Sequence, residues 1–458
     1  MSVAATAVRR TVVRPTLPTR DVFGRSWKGR RVTAVGLGRS GQAAAVLLHR
    51  AGCRVRMTDH RSTPELREAA DRLLAGGVDA VELGGHTRGS LAGAELVVVS
   101  PGVPDASAPL QWAAQDGIPV MGEIDLAFHF CQAPVIAVTG TNGKSTAVTL
   151  IAAVLAAAGR SAVACGNLGV PFSSVIDRLS PSSVAVVEVS SFQLLACEAF
   201  RPHIGVLLNL GTNHLDRHRD PAAYLAAKAR VFQRQDASDW AVLNAADGRI
   251  AALARQLRAQ VAWFGGGKGH PPALRLAPET LRALTPGLQA VLQVARLAGV
   301  ADPLAWQAMR AFRGLEHRLE PVATVRGVAY VNDSKSTTPD SLVYALQRTR
   351  GPVVLIMGGR DKGMDFSQLA APLHEPRVQG IVLIGEARAR LRPMLNGSTL
   401  VRESATLSGA MAEAARLAAP GTTVLFSPGC ASFDMFRDFE ERGRAFKALV
   451  RAETARQG

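Results

Sequence analysis

Thr139-Gly-Thr-Asn-Gly-Lys-Ser-Thr146 follows the apolar run Pro134-Val-Ile-Ala-Val138 and precedes the alanine-rich stretch Ala147–Ala158. The succession predicts a strand, a tight glycine turn and a buried helix. In that arrangement the backbone amides of Gly140, Thr141, Asn142 and Gly143 and the positive end of the helix converge on one point, a cradle for phosphate. Lys144 can reach the β- and γ-phosphates, and the hydroxyl of Ser145, followed by Thr146, suits Mg²⁺. Val138 stands where the G-x-x-x-x-G-K-[ST] loop has its first glycine, so the loop is a shortened form. A Gly-Lys turn that does no more than cap a helix is the competing account, and the flanking strand and helix argue against it.

Downstream, Val184–Val187 is an apolar strand that ends on Glu188. A carboxylate there is costly to bury unless it meets a cation, and beside a phosphate loop it occupies the place of a Walker-B acid. A further strand, Ile204–Gly211, leads into Asn213-His-Leu-Asp-Arg-His218. His214, Asp216 and His218 alternate without the spacing of a closed zinc site, and a packed loop histidine is the alternative reading.

On either side of this central block the chain alternates between short apolar strands and helical patterns, which predicts α/β domains with parallel sheets and ligands at the strand C-termini. Arg31–Val35 runs into Gly36-x-Gly38-x-x-Gly41, and the next strand ends at Asp59, a pattern for nucleotide or dinucleotide binding. Strands at Asp79–Leu83 and Ala94–Ser100 follow, the second entering the turn Ser100-Pro101-Gly102. After Phe312, strands at 328–333, 353–359, 381–385 and 423–429 are separated by helical stretches such as 405–419. His317, Arg318, Asp333, Ser334, Lys335, Thr337, Lys362 and Ser432 each read singly as surface residues, but a shared location at strand C-termini, where cationic side chains suit carboxylates or phosphates, raises them as candidates. The divisions expected are a basic, flexible lead over 1–30, a nucleotide domain over 31–131, a central ATPase domain over 132–311 and a third α/β domain over 312–458.

Bulk properties narrow the class of function. The 458 residues carry a formal charge of +16, but the basic residues are scattered and only three Tyr and five Trp are present. Base-stacking platforms are therefore poorly supplied, and anionic small substrates account for the charge better than nucleic acid. Cys53, Cys131, Cys165, Cys197 and Cys430 form no C-x-x-C pair, which reads as buried thiols in a reducing compartment. No apolar run reaches bilayer length. The Arg-rich start, with Asp21 its lone acid, resembles a transit peptide in composition and equally a disordered lead; the lead is the favoured reading.

The strings G-T-N-G-K-S-T, G-N-L-G-V-P (166–171), E-V-S-S-F-Q-L (188–194), N-H-L-D-R-H, A-A-Y-L-A-A-K-A-R-V-F (222–232), H-R-L-E, N-D-S-K-S-T, G-G-R-D-K-G-M-D-F and S-P-G-C-A-S-F-D-M-F-R-D-F-E-E-R-G occur here in sequence. Their order and approximate spacing resemble the Mur ligase family over nearly the whole chain after residue 30, and the shortened loop is that family's own form. The resemblance implies three domains: a Rossmann-like N-terminal domain, a central P-loop ATPase and a C-terminal Rossmann-like domain. It implies that Gly36, Gly38, Arg39, Ser40 and Gly41 hold a UDP-sugar in place of NAD, with Asp59 and Arg61 near the uridine and Ser100, Pro101 and Gly102 bordering it. Asn167 and Gln193 match positions at the muramoyl part. Asn244, Arg318 and Asp333 match ATP contacts, the last two carried by a third domain that swings into place.

Ser145 and Glu188 match ligands of a first Mg²⁺, and His214 and Lys228 ligands of a second. The family's matching lysine is carbamylated, which requires a neutral amine and so a lowered pKa. Lys335, Thr337, Lys362, Ser432, Phe433 and Phe439 match an amino-acid pocket. The implied activity is ATP-dependent addition of D-glutamate to UDP-N-acetylmuramoyl-L-alanine through an acyl-phosphate in peptidoglycan precursor synthesis, by a cytoplasmic monomer without nucleic-acid partners. Alternatives are a ligase for L-glutamate or another acidic residue, and an inactive nucleotide-binding regulator; Lys144, Glu188, His214 and Lys228 together oppose the latter. The chain departs from the family pattern at Asn213, at Asn244-Ala-Ala-Asp247 and at Thr338, and Leu284–Gly299 replaces an H-N-x-x-N helix start.

Overall fold

A computed structural model describes residues 17–211, 220–266, 284–312, 314–361, 363–395 and 400–455. His214 and Lys362 lie outside the described residues, as do Asp216 and His218.

The chain divides into two compact units, Met1–Phe312 and Arg313–Gly458. The first carries two parallel sheets. One has the order β3-β2-β1-β4-β5, from β1 (Arg31–Val35), β2 (Arg54–Asp59), β3 (Ala80–Leu83), β4 (Leu96–Val99) and β5 (Val120–Gly122). The other has the order β11-β10-β9-β6-β8-β7, from β6 (Val135–Thr139), β7 (Ala162–Gly166), β8 (Val184–Glu188), β9 (Ile204–Leu207), β10 (Trp240–Asn244) and β11 (Gln260–Phe264). Strands β6, β8 and β9 are buried along their whole length, as expected of central parallel strands covered by helices on both faces.

The helix Glu123–Phe130 joins the two sheets. Ile124, Leu126 and Phe130 enter one hydrophobic cluster that runs from Val32 and Leu48 of the first sheet layer to Phe172, Val187 and Ile250 of the second. The helix also carries two buried carboxylates. Glu123 accepts from the Ser173 amide at 2.7 Å, and Asp125 accepts from the amides of Glu198 and Ala199 at 2.8 and 3.0 Å. The expected division near residue 131 therefore crosses a continuous core.

Residues 17–30, expected to be flexible, are folded. Arg20 bridges to Ser26, and Asp21 accepts from Arg25 and Arg30. Trp27 is fully buried against Phe130, their rings 4.8 Å apart. One large aromatic buried on a core helix outweighs the basic composition around it.

The second unit has a mixed sheet in the order β12-β13-β17-β14-β15-β16, from β12 (Glu320–Val325), β13 (Val328–Asn332), β14 (Val353–Gly358), β15 (Val378–Ile384), β16 (Leu400–Glu403) and β17 (Thr423–Phe426). Only β12 runs antiparallel, in a hairpin with β13. The helical stretch expected over 405–419 is the helix Leu407–Leu417. Thr338, one of the departures, caps the helix Pro339–Arg348 in a capping box with Ser341.

Candidate active site

The phosphate loop joins β6 to the helix Lys144–Ala157. Gly140 (φ 148°) and Gly143 (φ 81°) take backbone conformations open chiefly to glycine, and they turn the chain sharply between strand and helix. Lys144 Nζ donates to the carbonyls of Gly140 and Thr141, each at 2.9 Å. Ser145 is buried at the first turn. Asn209, past the end of β9, accepts from the amides of Thr141 (3.1 Å) and Asn142 (2.9 Å) and donates to the Asn142 carbonyl. It braces the loop, and sequence reasoning passed over it; its place just beyond a central strand was the available signal.

Glu188 ends β8, which pairs with β6 so that Glu188 lies opposite Val138, two residues before Gly140. Its carboxylate is buried. Oε1 accepts from Asn167 Nδ2 at 2.9 Å, and Oε2 has no hydrogen-bond partner among the described residues. A buried carboxylate oxygen left in this state suits a hard divalent cation, as does the Ser145 hydroxyl. The residues present thus fit Mg²⁺, although no cluster of three His, Cys, Asp or Glu side chains that could hold a metal lies among the described residues.

Lys228 comes from the helix Pro221–Ala229. It is 1 % exposed, its Nζ donates to the Gly140 carbonyl at 2.9 Å, and it sits 4.4 Å over the Tyr224 ring. Burial, with the Lys144 charge adding to it and Glu188 opposing, lowers its pKa to about 7. Two lysines on one carbonyl make an electropositive focus suited to a polyphosphate. Asn244 ends β10, and its side chain donates to the Leu208 carbonyl and accepts from the Ala246 amide.

A large cavity, 560 Å³, opens at the C-terminal edge of the first sheet. Gly36, Gly38, Arg39 and Ser40 line its floor, Asp59 and Arg61 one end, and Ser100, Pro101 and Gly102 a wall. Gly41 lies beneath, where a Cβ would collide with the Gly36 carbonyl. Asp59 is saturated within the protein: it accepts from the Leu37 amide at 2.7 Å and holds the Arg61 guanidinium through both oxygens. Burial works against its ionisation, yet these bonds lower its pKa to about 2. Asp59 thus anchors the glycine loop and aims Arg61. His60 and His86 also line this end and were not among the sequence candidates.

At the opposite end the same cavity is lined by Asn167 and Gln193, the latter fixed by a capping box with Ser190. Asn167 therefore lines the cavity and bonds Glu188, which links the cavity to the strand end beside the phosphate loop.

In the second unit Asp333 follows β13, buried, accepting from Ser427 Oγ (2.8 Å) and the Leu319 amide (3.1 Å). Burial raises its pKa to about 6 against those bonds. Arg442 donates to Ser334 Oγ, the Ser334 carbonyl and the Cys430 carbonyl, which ties the loop bearing Lys335 and Thr337 to the one bearing Ser432 and Phe433. Lys335 Nζ lies 5.7 Å over the Phe439 ring, and Phe433 is exposed. His317 and Leu319, flanking Arg318, have positive φ (63° and 44°), a local strain that His317 packing edge-on against Phe439 helps hold.

Family models match most of the chain: a Mur ligase MurD-like N-terminal domain over 30–122, a Mur ligase middle domain over 138–279 and a Mur ligase glutamate ligase domain over 317–430. The chain is 39% identical to a UDP-N-acetylmuramoylalanine–D-glutamate ligase of Desulfosudis oleivorans over 93% of this chain and 96% of that protein. It is 42% identical to one of Anaeromyxobacter dehalogenans over 92% and 98%. Among solved structures, the UDP-N-acetylmuramate-alanine ligase of Thermotoga maritima shares its fold, with a TM-score of 0.58 at 18% identity over 92% of this chain and 99% of that one. The MurF ligase of the same organism, solved with ADP, gives 0.55 at 16% over 88% and 96%.

Proposed function

The chain belongs to the Mur ligase family, and from that premise we propose that it joins D-glutamate to UDP-N-acetylmuramoyl-L-alanine at the expense of ATP, in cell-wall precursor synthesis. One observation carries the reading: Asn167 lines the large cavity and bonds Glu188 beside the phosphate loop. A sugar nucleotide in the cavity would present its acid arm toward a triphosphate on the loop.

In the first step a carboxylate oxygen of the L-alanyl arm attacks the γ-phosphorus, the bond to the β,γ-bridging oxygen breaks, and ADP leaves. A carboxylate oxygen is a poor leaving group and phosphate a better one, so the acyl-phosphate opens the carbonyl to the glutamate amine. The tetrahedral adduct expels phosphate, the nitrogen loses a proton, and the amide remains. Lys144 and the positive end of the helix that it begins offset the repulsion between carboxylate and triphosphate. Ser145 and Glu188 would hold one Mg²⁺, and His214 with carbamylated Lys228 a second; bound there, the ions supply further charge neutralisation. At a pKa of about 7, about half of Lys228 is neutral near pH 7, the form that adds CO₂ with loss of a proton.

Gly36 through Gly41, Arg61 and Ser100–Gly102 are the proposed UDP contacts, and Asn167 and Gln193 the sugar contacts. Asn244, Arg318 and Asp333 are proposed for ATP, and Lys335, Thr337, Lys362, Ser432, Phe433 and Phe439 for glutamate. No helix among the described residues is long and apolar enough to cross a membrane. We place the reaction in the cytoplasm, where ATP is available, and take the working form as a monomer. The test is incubation with UDP-N-acetylmuramoyl-L-alanine, ATP, Mg²⁺ and either glutamate enantiomer, reading phosphate release and product mass. Product with D-glutamate is expected. Turnover with L-glutamate alone, or UDP-sugar binding without turnover, overturns the reading.

A further inference from the structure

We propose that His86 selects the base of the sugar nucleotide: its Nε2 accepts a hydrogen bond from the imide N3–H of uracil. This deepens the ligase reading above and rests on it. A diphosphate held by the glycine loop after β1 places the base toward the ends of β2 and β3, at the edge of the first sheet. Asp59, His60, Arg61 and His86 line the cavity there.

The pairing edge of uracil is one N–H donor between two carbonyl acceptors, so a group that identifies it must accept a hydrogen bond at N3. Asp59 is already engaged: it accepts from the amides of Leu37 and Arg61 and from the Arg61 guanidinium. Arg61 can only donate. His86 is placed differently. Its Nδ1 lies 2.7 Å from Thr58 Oγ1, and that hydroxyl lies 3.2 Å from Glu82 Oε2. Thr58 and Glu82 stand opposite each other in the pairing of β2 with β3, so the sheet itself sets the row.

The row fixes the histidine tautomer. Burial works against the ionisation of Glu82, yet bonds from Thr87 and Thr58 hold its pKa below the usual carboxylate value. The carboxylate accepts from the Thr58 hydroxyl, Thr58 Oγ1 accepts from Nδ1–H of His86, and the lone pair is left on Nε2. Burial, with the His60 charge adding to it and Asp59 and Glu82 opposing, lowers the His86 pKa, which keeps that lone pair free of a proton near neutrality. Nε2 is neither hydrogen-bonded nor enclosed among the described residues, and His86 lines the cavity. Cytosine presents a second lone pair at N3 and is repelled, whereas uracil presents the proton that Nε2 lacks.

The full-length protein is titrated with UDP, CDP and UDP methylated at N3. The unaltered protein is expected to bind UDP at least about tenfold more tightly than either of the others. In His86→Ala the Kd of UDP should rise about tenfold, and UDP and its N3-methyl form should bind within about threefold of each other. Thr58→Val removes the hydroxyl that fixes the tautomer and should lower the preference for UDP over CDP; a merely structural loss would weaken both equally. Equal binding of UDP and its N3-methyl form by the unaltered protein, discrimination kept in His86→Ala, or an unchanged UDP-to-CDP ratio in Thr58→Val overturns the inference and leaves the ligase reading standing. Failure of the unaltered protein to turn over UDP-N-acetylmuramoyl-L-alanine overturns both.

Discussion

Gly140 takes hydrogen bonds from two lysines, and each lysine answers to a different test. Lys144→Ala removes a charge from the triphosphate without touching the core, and ADP release with UDP-N-acetylmuramoyl-L-alanine should fall at least about a hundredfold. Lys228→Ala should be comparably inactive, but with partial recovery on adding short carboxylates such as acetate, which replace the carbamate oxygens. Absence of rescue at any carboxylate concentration would count against carbamylation. Asn209 acts on the loop backbone. Asn209→Ala leaves the Asn142 amide without its acceptor, and KM for ATP should rise about tenfold while UDP affinity holds; equal loss of both would point to a general folding role. Lys144 and Glu188 were legible from their neighbours alone. Asn209 was not, because an asparagine that braces a loop from another strand carries no local pattern.

At the scale of single elements, the folded segment 17–30 brings a titratable group into the core. His129 Nδ1 accepts from the Val22 amide, so Nε2 carries the proton, and the ring packs against Phe23 and Trp27. Burial, helped by the charges of Arg25 and Arg30 and opposed by Asp21, lowers its pKa to about 4. Between pH 6.5 and 4 the unfolded chain takes up a proton that the folded one refuses, so stability falls as the pH drops through that window. The loss is about 3 kcal/mol at the lower end. Denaturant unfolding at pH 7 and pH 4.5 should show it, and His129→Gln should show a shallower dependence. Identical slopes in the two proteins would remove His129 as the cause. A one-residue view of this stretch sees arginines and predicts a loose lead; Trp27 pairing with Phe130 reverses that, since burying one large aromatic outweighs ordering a short segment.

For the molecule as a whole, the division falls after Phe312, with the two parallel sheets of the first unit sharing one core. Calorimetry should therefore resolve two transitions. UDP at a hundredfold excess over its Kd should stabilise the Met1–Phe312 transition by about 2.7 kcal/mol and leave the other unmoved. Three transitions, or a shift in both, would contradict this division. Three α/β blocks were readable from strand–helix alternation. That the first two share a core was not, because the carboxylates of Glu123 and Asp125 look in sequence like a solvated helix face and instead bond backbone amides of a short helix and a loop beside the next sheet.

By itself the chain determined its strands and helices, its phosphate loop and its family, because those depend on residues adjacent in order: an apolar run, a glycine turn, a lysine at a helix start. Tertiary structure alone decided the lowered pKa of Lys228, the Glu188 oxygen left without a partner among the described residues, and the bond by which Asn167 links cavity and strand end. Each of these depends on burial and on contact between residues distant in sequence, and the free energy of a charge or hydrogen bond is set by what surrounds it in space.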